Sequence, residues 1–170
     1  GSKYVLIDIP CGKGAKVTRV RALKLRDKFI QVGKHFGIKM DIVLTDGKEP
    51  IGNGIGPVLE MIDVLRVLKR ENSPRDLEEK SIFLSSLILE KTGKAKKGDG
   101  ARMAQEILNS GKAFEKFDEI ITAQGKKKDG LKLGKFKYDV KSSLLGVVRE
   151  IDNKLINLLG RVLGCPADKS

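Results

Sequence analysis

Two strand-length apolar runs, "KYVLIDIP" and "IKMDIVL", are separated by a segment whose apolar residues Ala22, Leu25, Phe29, Val32 and Phe36 recur at helical spacing. That order constrains the fold more than any other feature. A strand, a helix of this length and a second strand read as a parallel crossover unit, since an antiparallel pair needs no more than a tight turn between its strands. Pro10 ends the first run, Thr18 is placed to cap the helix and Gly37 to stop it. The expected class is therefore α/β. Two glycine-bearing loops, "PCGKGAK" and "TDGKEPIGNGIGP", leave the carboxyl ends of the two strands. Ligands of open α/β sheets gather outside those ends, so both loops point to one rim.

The chain then turns helical. Pro57 suits a first helical position, and Val58, Met61, Ile62, Leu65 and Leu68 share one apolar face. Ser73, Pro74 and Asp76 give a second helix start with a capping-box pattern, and the stretch through "SIFLSSLILE" is apolar nearly all round, which predicts a buried helix. Asp99 begins a shorter helix. Ser110 begins another, with Phe114, Phe117, Ile120 and Ile121 turned inward. From Gly125, "GKKKDGLKLGKFKYDVKSS" carries seven lysines against two aspartates with short apolar alternation, which predicts a basic turn and a short β-ribbon. A strand and a helix, "LLGVVREIDNKLINLLGRVLG", follow.

Chemistry concentrates in the second glycine loop. Glycines let backbone N–H groups approach an anion, and the helix after the loop adds a favourable dipole, although neither "GKGAK" nor "GNGIG" completes a nucleotide-binding spacing. A tight strand-to-helix turn would use the same residues. Asp46, between a strand end and the glycines, can face the ligand rim or simply form an Asp-Gly turn. Lys80 lies in an apolar helix, where it either snorkels to solvent or reaches a phosphate. Asp63, on the helix after the loop, is either a cation ligand or part of a solvated face, and His35 near a helix end is assigned no function.

Composition bounds the partners. A formal charge of +12 attracts nucleic acid, an anionic membrane surface or phosphorylated small molecules. With two Tyr, six Phe and no Trp, the chain is poor in the platforms on which single-strand binders stack bases, so a basic nucleic-acid-binding module is the weaker alternative. Cys11 and Cys165 lack metal spacing and are expected to be free thiols. No apolar run is long enough to span a membrane and the start has no signal layout, which implies a cytosolic protein. Gly1 and Ser2 read as an expression scar. A strand beginning at once near Lys3 suggests a piece of something longer.

"IDIPCGKGAKV", "TDGKEPIGNGIGPVLEMIDVL", "DLEEKS", "SGKAFEKFDEIITAQG" and "IDNKLINLLGRVLGCPADKS" resemble, in order and over essentially the whole chain, successive blocks of the thymidine phosphorylase and pyrimidine nucleoside phosphorylase family, nearest its AMP phosphorylase branch. The family's phosphate-binding blocks, of the K-H-S-T-G-G and S-G-R-G-x-x-H-T-G-G-T types, are not among these residues. The resemblance thus implies an internal segment: residues 3–125 as the later part of the central α/β domain, and 126–170 as a basic connection and the start of the carboxyl-terminal region. It implies phosphorolysis of the N-glycosidic bond of AMP to adenine and ribose 1,5-bisphosphate by the full-length enzyme, a glycosyltransferase, with thymidine or another pyrimidine nucleoside as the alternative substrate. Asp46 aligns with the acid that protonates the leaving base. Gly54, through its backbone, and Lys80 fall at the nucleotide. Pyrimidine phosphorylases hold a metal through two carbonyls of this loop and an acid on the next helix, which match Ile51, Gly54 and Asp63 and suit a monovalent or calcium ion. Gly54 does not easily serve both roles. The implied partners are phosphate, the nucleotide and the missing segments of the parent chain, with a homo-oligomer expected for the full length.

Overall fold

The structure, a computed structural model, describes residues 2–126 and 130–166. The crossover unit forms as the sequence predicts. Strand β1 (Tyr4–Cys11), helix α1 (Arg19–His35) and strand β2 (Lys39–Asp46) build a parallel two-stranded sheet, with Ile7 opposite Ile42, Ile9 opposite Leu44 and Cys11 opposite Asp46. The Thr18 hydroxyl accepts from the Arg21 N–H at 3.4 Å, and the Ile38 N–H closes the far end of α1 on the Gly33 carbonyl at 2.8 Å. Side chains alternate across a strand, so Ile7, Ile9, Cys11, Ile42 and Leu44 share the face that meets Ala22, Leu25 and Phe29 of α1. Asp8, Val43 and Thr45 take the other face.

Helices α2 (Pro57–Lys69), α3 (Arg75–Lys91), α4 (Gly100–Asn109) and α5 (Lys112–Ala123) form the second half, and α6 (Asn153–Val162) follows later. Pro57 opens α2 as expected. Helix α3 starts after Pro74 without a capping side chain, because the Ser73 hydroxyl donates to Glu78 at 2.6 Å instead; α5 starts after Gly111 rather than Ser110. Ion pairs join α3 to the sheet: Lys80 to Asp8 at 2.8 Å and Lys91 to Asp41 at 3.0 Å. The Tyr4 hydroxyl also donates to Asp41. That bond and Lys91 hold the Asp41 carboxyl below its usual range, while burial and the same carboxylate push the Tyr4 hydroxyl up.

Three expectations need correction. Helix α3 is not buried all round: Ser86 is its one buried residue and Phe83 is 44% exposed. An apolar cavity of about 380 Å³, lined by Val67, Leu77, Ile82, Ala104 and Leu108, lies where α3 meets α2 and α4. The apolar stripe of α1 is also only half used, since Val32 and Phe36 face solvent. The core is accordingly thin for a chain of this length. The expected β-ribbon and the strand after it do not form: residues 130–152 contain no strand among the described residues, and part of the basic turn, 127–129, lies outside them. A two-stranded ribbon without a third strand or a helix to cover it is marginal in water, and here Phe136, Tyr138 and Val140 lie exposed. Among the described residues no helix is long and apolar enough to cross a membrane.

Candidate active-site rim

The two glycine loops meet at the carboxyl ends of β1 and β2. The Gly47 N–H donates to the Cys11 carbonyl at 3.1 Å, continuing the ladder past the strands. Contact here is close enough to require glycine: a Cβ on Gly47 would stand 2.9 Å from Pro10 Cβ and 3.0 Å from the Pro10 carbonyl carbon. The two loops are one surface.

Asp46 is the last residue of β2 and remains largely exposed. Its Oδ1 accepts from the Lys48 N–H at 3.0 Å, and its Oδ2 lies 3.4 Å from the Lys48 ammonium. The Lys48 backbone N–H chiefly, with the ammonium adding to it, holds the Asp46 carboxyl below its ordinary value. As found, it is an ionised carboxylate closing a local turn.

Lys80 does not snorkel. From α3 its ammonium reaches the opposite face of the sheet, pairing with Asp8 Oδ2 at 2.8 Å and donating to the Thr45 hydroxyl at 3.1 Å, while that hydroxyl donates to Asp8 Oδ1 at 2.7 Å. Both charged side chains are about four-fifths buried, at 22% and 20% exposure. Because successive strand residues alternate, Thr45 and Asp46 leave β2 on opposite sides, and Lys80 joins the neighbour of Asp46 rather than Asp46 itself.

The loop from Pro50 to Gly56 is held from within. Asp63 of α2, only 2% exposed, accepts at Oδ2 from the Asn53 N–H at 2.7 Å and the Gly54 N–H at 2.6 Å, and at Oδ1 from Arg66 at 3.3 Å. The Gly52 N–H goes to Asp76 at 3.0 Å and the Gly56 N–H to Glu60 at 2.9 Å. Four backbone donors that an incoming anion would need are therefore bound to the protein's own carboxylates. A Cβ on Gly54 would lie 2.4 Å from the Leu59 carbonyl carbon, so a serine there requires the loop to move.

The same geometry bears on the metal reading of Ile51, Gly54 and Asp63. Asp63 and Gly54 do come together, but as a carboxylate facing N–H groups. A cation at Oδ2 would stand against the positive ends of those dipoles, so this arrangement does not suit a hard cation. Among the described residues no cluster of three or more His, Cys, Asp and Glu side chains is placed to hold one. Ile51, whose carbonyl that reading uses, is 39% exposed.

Sequence reasoning missed Asp8, Thr45, Asp76 and Asn153. An aspartate in a strand whose other face is apolar was a signal for the first. Nothing local marks Asn153, whose amide donates to the Gly47 carbonyl at 3.0 Å and the Lys48 carbonyl at 2.8 Å from 105 or more positions away. Beside it the Ile151 N–H donates to Glu49 at 3.1 Å, and Lys13 of the first loop pairs with Glu150 at 3.3 Å, so the segment before α6 straps both loops.

No protein-family model matches the chain. Individual relatives do. It is 46% identical over 171 aligned positions to a protein of Bradyrhizobium diazoefficiens named provisionally as a thymidine phosphorylase. It is 44% identical to the AMP phosphorylase of Methanococcus aeolicus and 42% identical to that of Pyrococcus abyssi, each over 174 positions. These alignments take in 99% of this chain but 33% to 35% of each relative, so the chain spans about a third of the length of the curated relatives it matches.

Proposed function

We propose, from a chain homologous over almost its whole length to thymidine phosphorylases and AMP phosphorylases, that it carries the base-protonating rim of a nucleotide phosphorylase. The reaction we assign to the whole protein is attack of inorganic phosphate on the anomeric carbon of AMP. The C1′–N9 bond breaks, a C1′–O bond forms, and adenine leaves with a proton on its ring, giving ribose 1,5-bisphosphate. The observation that carries this reading is the match to AMP phosphorylases across both glycine loops and α3, the elements that form the rim.

Each rim residue has a part. Asp46 delivers the proton, and it must first acquire one. Its carboxyl is held low chiefly by the Lys48 backbone N–H, with the ammonium adding to it, so a base approaching the rim has to open that turn, displace the ammonium and exclude water, each of which raises the affinity of the carboxylate for a proton. Lys80 offers positive charge to a phosphate oxygen. Gly54 has its N–H engaged by Asp63, leaving its carbonyl for the nucleotide. A calcium or monovalent ion on Ile51, Gly54 and Asp63 would require the loop to rearrange, and no step depends on it. Phosphate binding is assigned to segments outside this chain, with residues 3–125 completing the central domain and 126–170 leading to the next one in a homo-oligomer.

The test is the full-length protein with phosphate and equal concentrations of AMP, adenosine, thymidine and uridine, followed by chromatography for released base. Adenine from AMP in preference to the others is expected. Thymine from thymidine alone would move the assignment to the alternative that the Bradyrhizobium relative's name favours. Release of no base would overturn both.

A further inference from the structure

The group that orients Lys80 is Asp8, and the resemblance gives it no role. An ammonium has three donors in a tetrahedral arrangement. Here one goes to Asp8 Oδ2 at 2.8 Å and one to the Thr45 hydroxyl at 3.1 Å, while the Thr45 hydroxyl is itself fixed by donating to Asp8 Oδ1 at 2.7 Å. Asp8 thus closes a three-membered ring with both carboxylate oxygens. The third ammonium donor has no partner among the described residues, and the pair stands at Thr45, next to Asp46 at the carboxyl end of β2. A lysine on a four-carbon stem gives up rotamer freedom when it is immobilised. The ring imposes that loss before a ligand arrives, so a phosphate oxygen meets an ammonium already aimed.

We propose that Asp8 is a positioning residue for nucleotide recognition: it holds Lys80 toward the 5′-phosphate and thereby sets the preference for a nucleotide over a nucleoside. This rests on the phosphorylase reading above. A carboxylate so near would repel a phosphate if it stood alone; here both its oxygens are engaged and its charge is offset by the Lys80 ammonium.

The test uses the full-length enzyme and the variants Asp8→Asn, Asp8→Glu, Thr45→Val and Lys80→Ala, with AMP, adenosine and inorganic phosphate varied in turn. Asp8→Asn keeps the shape and removes the charge. It should lower the ratio of kcat/KM for AMP to that for adenosine by about tenfold, mainly through the KM for AMP, because a charge-assisted hydrogen bond is lost from the group that binds. Asp8→Glu should recover part of that ratio, and Thr45→Val should lower it by about threefold. The double variant Asp8→Asn, Lys80→Ala should be no more selective and no less than Lys80→Ala alone, since one residue acts through the other. A purely structural Asp8 would lower activity on AMP and adenosine alike, together with the melting temperature, and that result overturns the proposal. So does a rise confined to the KM for inorganic phosphate, which would put the co-substrate at Lys80. If Asp8→Asn does not fold, Thr45→Val decides by the same ratio. A ratio that responds to Lys80→Ala but not to Asp8→Asn or Thr45→Val refutes the positioning role and leaves the phosphorylase reading standing. A wild-type enzyme that does not cleave AMP refutes both.

Discussion

The rim and the segment from Leu131 to Val148 carry similar side chains and meet opposite fates. Both alternate apolar with polar residues and both contain glycine. At the rim Ile9 and Cys11 are 6% and 7% exposed and four loop N–H groups are bound to carboxylates; in the segment Phe136 is 96% exposed and Tyr138 89%, and no strand forms. Pattern is therefore not what divides them. The rim strands have a helix to lie against and a neighbour to pair with, whereas the segment has the pattern of a strand with nothing to cover it. A strand's free energy lies in its cross-strand and face contacts more than in its own preferences.

If that is the difference, disturbing the rim should be costly and disturbing the segment cheap. The largest effect expected is for Asp63→Ala. It strands two backbone N–H groups that now donate to a buried carboxylate at 2.7 Å and 2.6 Å, and should cost about 4 kcal/mol, read as the shift of the urea midpoint at constant slope. A loss below about 1 kcal/mol would mean that the loop has an alternative satisfied conformation. Next in size is Asp46→Asn in the full-length enzyme. Asn preserves the turn and removes the transferable proton, so turnover should fall by about 10²-fold or more with nucleotide binding changed only a few fold. Near wild-type turnover would leave Asp46 as a turn residue and remove the proposed acid.

How much of this could be read in advance follows the same division. The crossover was legible because Ala22, Leu25 and Phe29 fall at helical spacing between two strand-length runs, and because Thr18 and Gly37 mark the ends of α1. The shared rim was legible from topology alone. The clamping of the glycine loop was not, since Asp63 reads as a cation ligand or a solvated face and Asp76 as part of a helix start until the loop folds back to them. Asp8 was hidden because its partner Lys80 lies 72 positions away (80 − 8) on a helix whose packing the sequence overestimated. Apolar content made α3 look buried. The shell of elements that would bury it is not supplied by the described residues.

A smaller effect tests the joint between α2 and α3. Arg70 pairs with Glu78 at 2.5 Å and the Ser73 hydroxyl donates to the same oxygen at 2.6 Å, with the Glu78 side chain 16% exposed. Arg70 foremost, then Ser73, holds the Glu78 carboxyl below its ordinary value of 4.5. The sign follows from that direction. The folded pKa is depressed, so the contribution is fully present above the unfolded value and is lost as pH falls through the folded one. Stability should therefore decline below about pH 4.5, by on the order of 1 kcal/mol from this pair, and Glu78→Gln should remove that part of the slope. An unchanged acid slope in Glu78→Gln would show that the pair is no stronger in the folded state than in the unfolded chain.

The smallest change in stability belongs to the segment, and it tests the comparison most directly. Phe136, Tyr138 and Val140 are 96%, 89% and 88% exposed and lie on alternate positions between Lys135, Lys137, Asp139 and Lys141. Replacing all three by Thr keeps the preference for extended backbone and takes away the apolar surface. If nothing in this chain covers them, the urea midpoint should move by no more than about 0.5 kcal/mol, the range of surface substitutions. Association should respond instead. Unpaired strand-like segments with an apolar face favour pairing with another copy, so light scattering at high concentration should fall toward the monomer value in the triple variant. A loss of several kcal/mol would mean that these side chains already pack within the chain, and the contrast with the rim would fail. Unchanged stability together with unchanged association would leave the contrast intact, but it would move the sticky surface elsewhere, with the half-exposed α3 and its cavity beside Ile82 and Leu108 the next place to substitute.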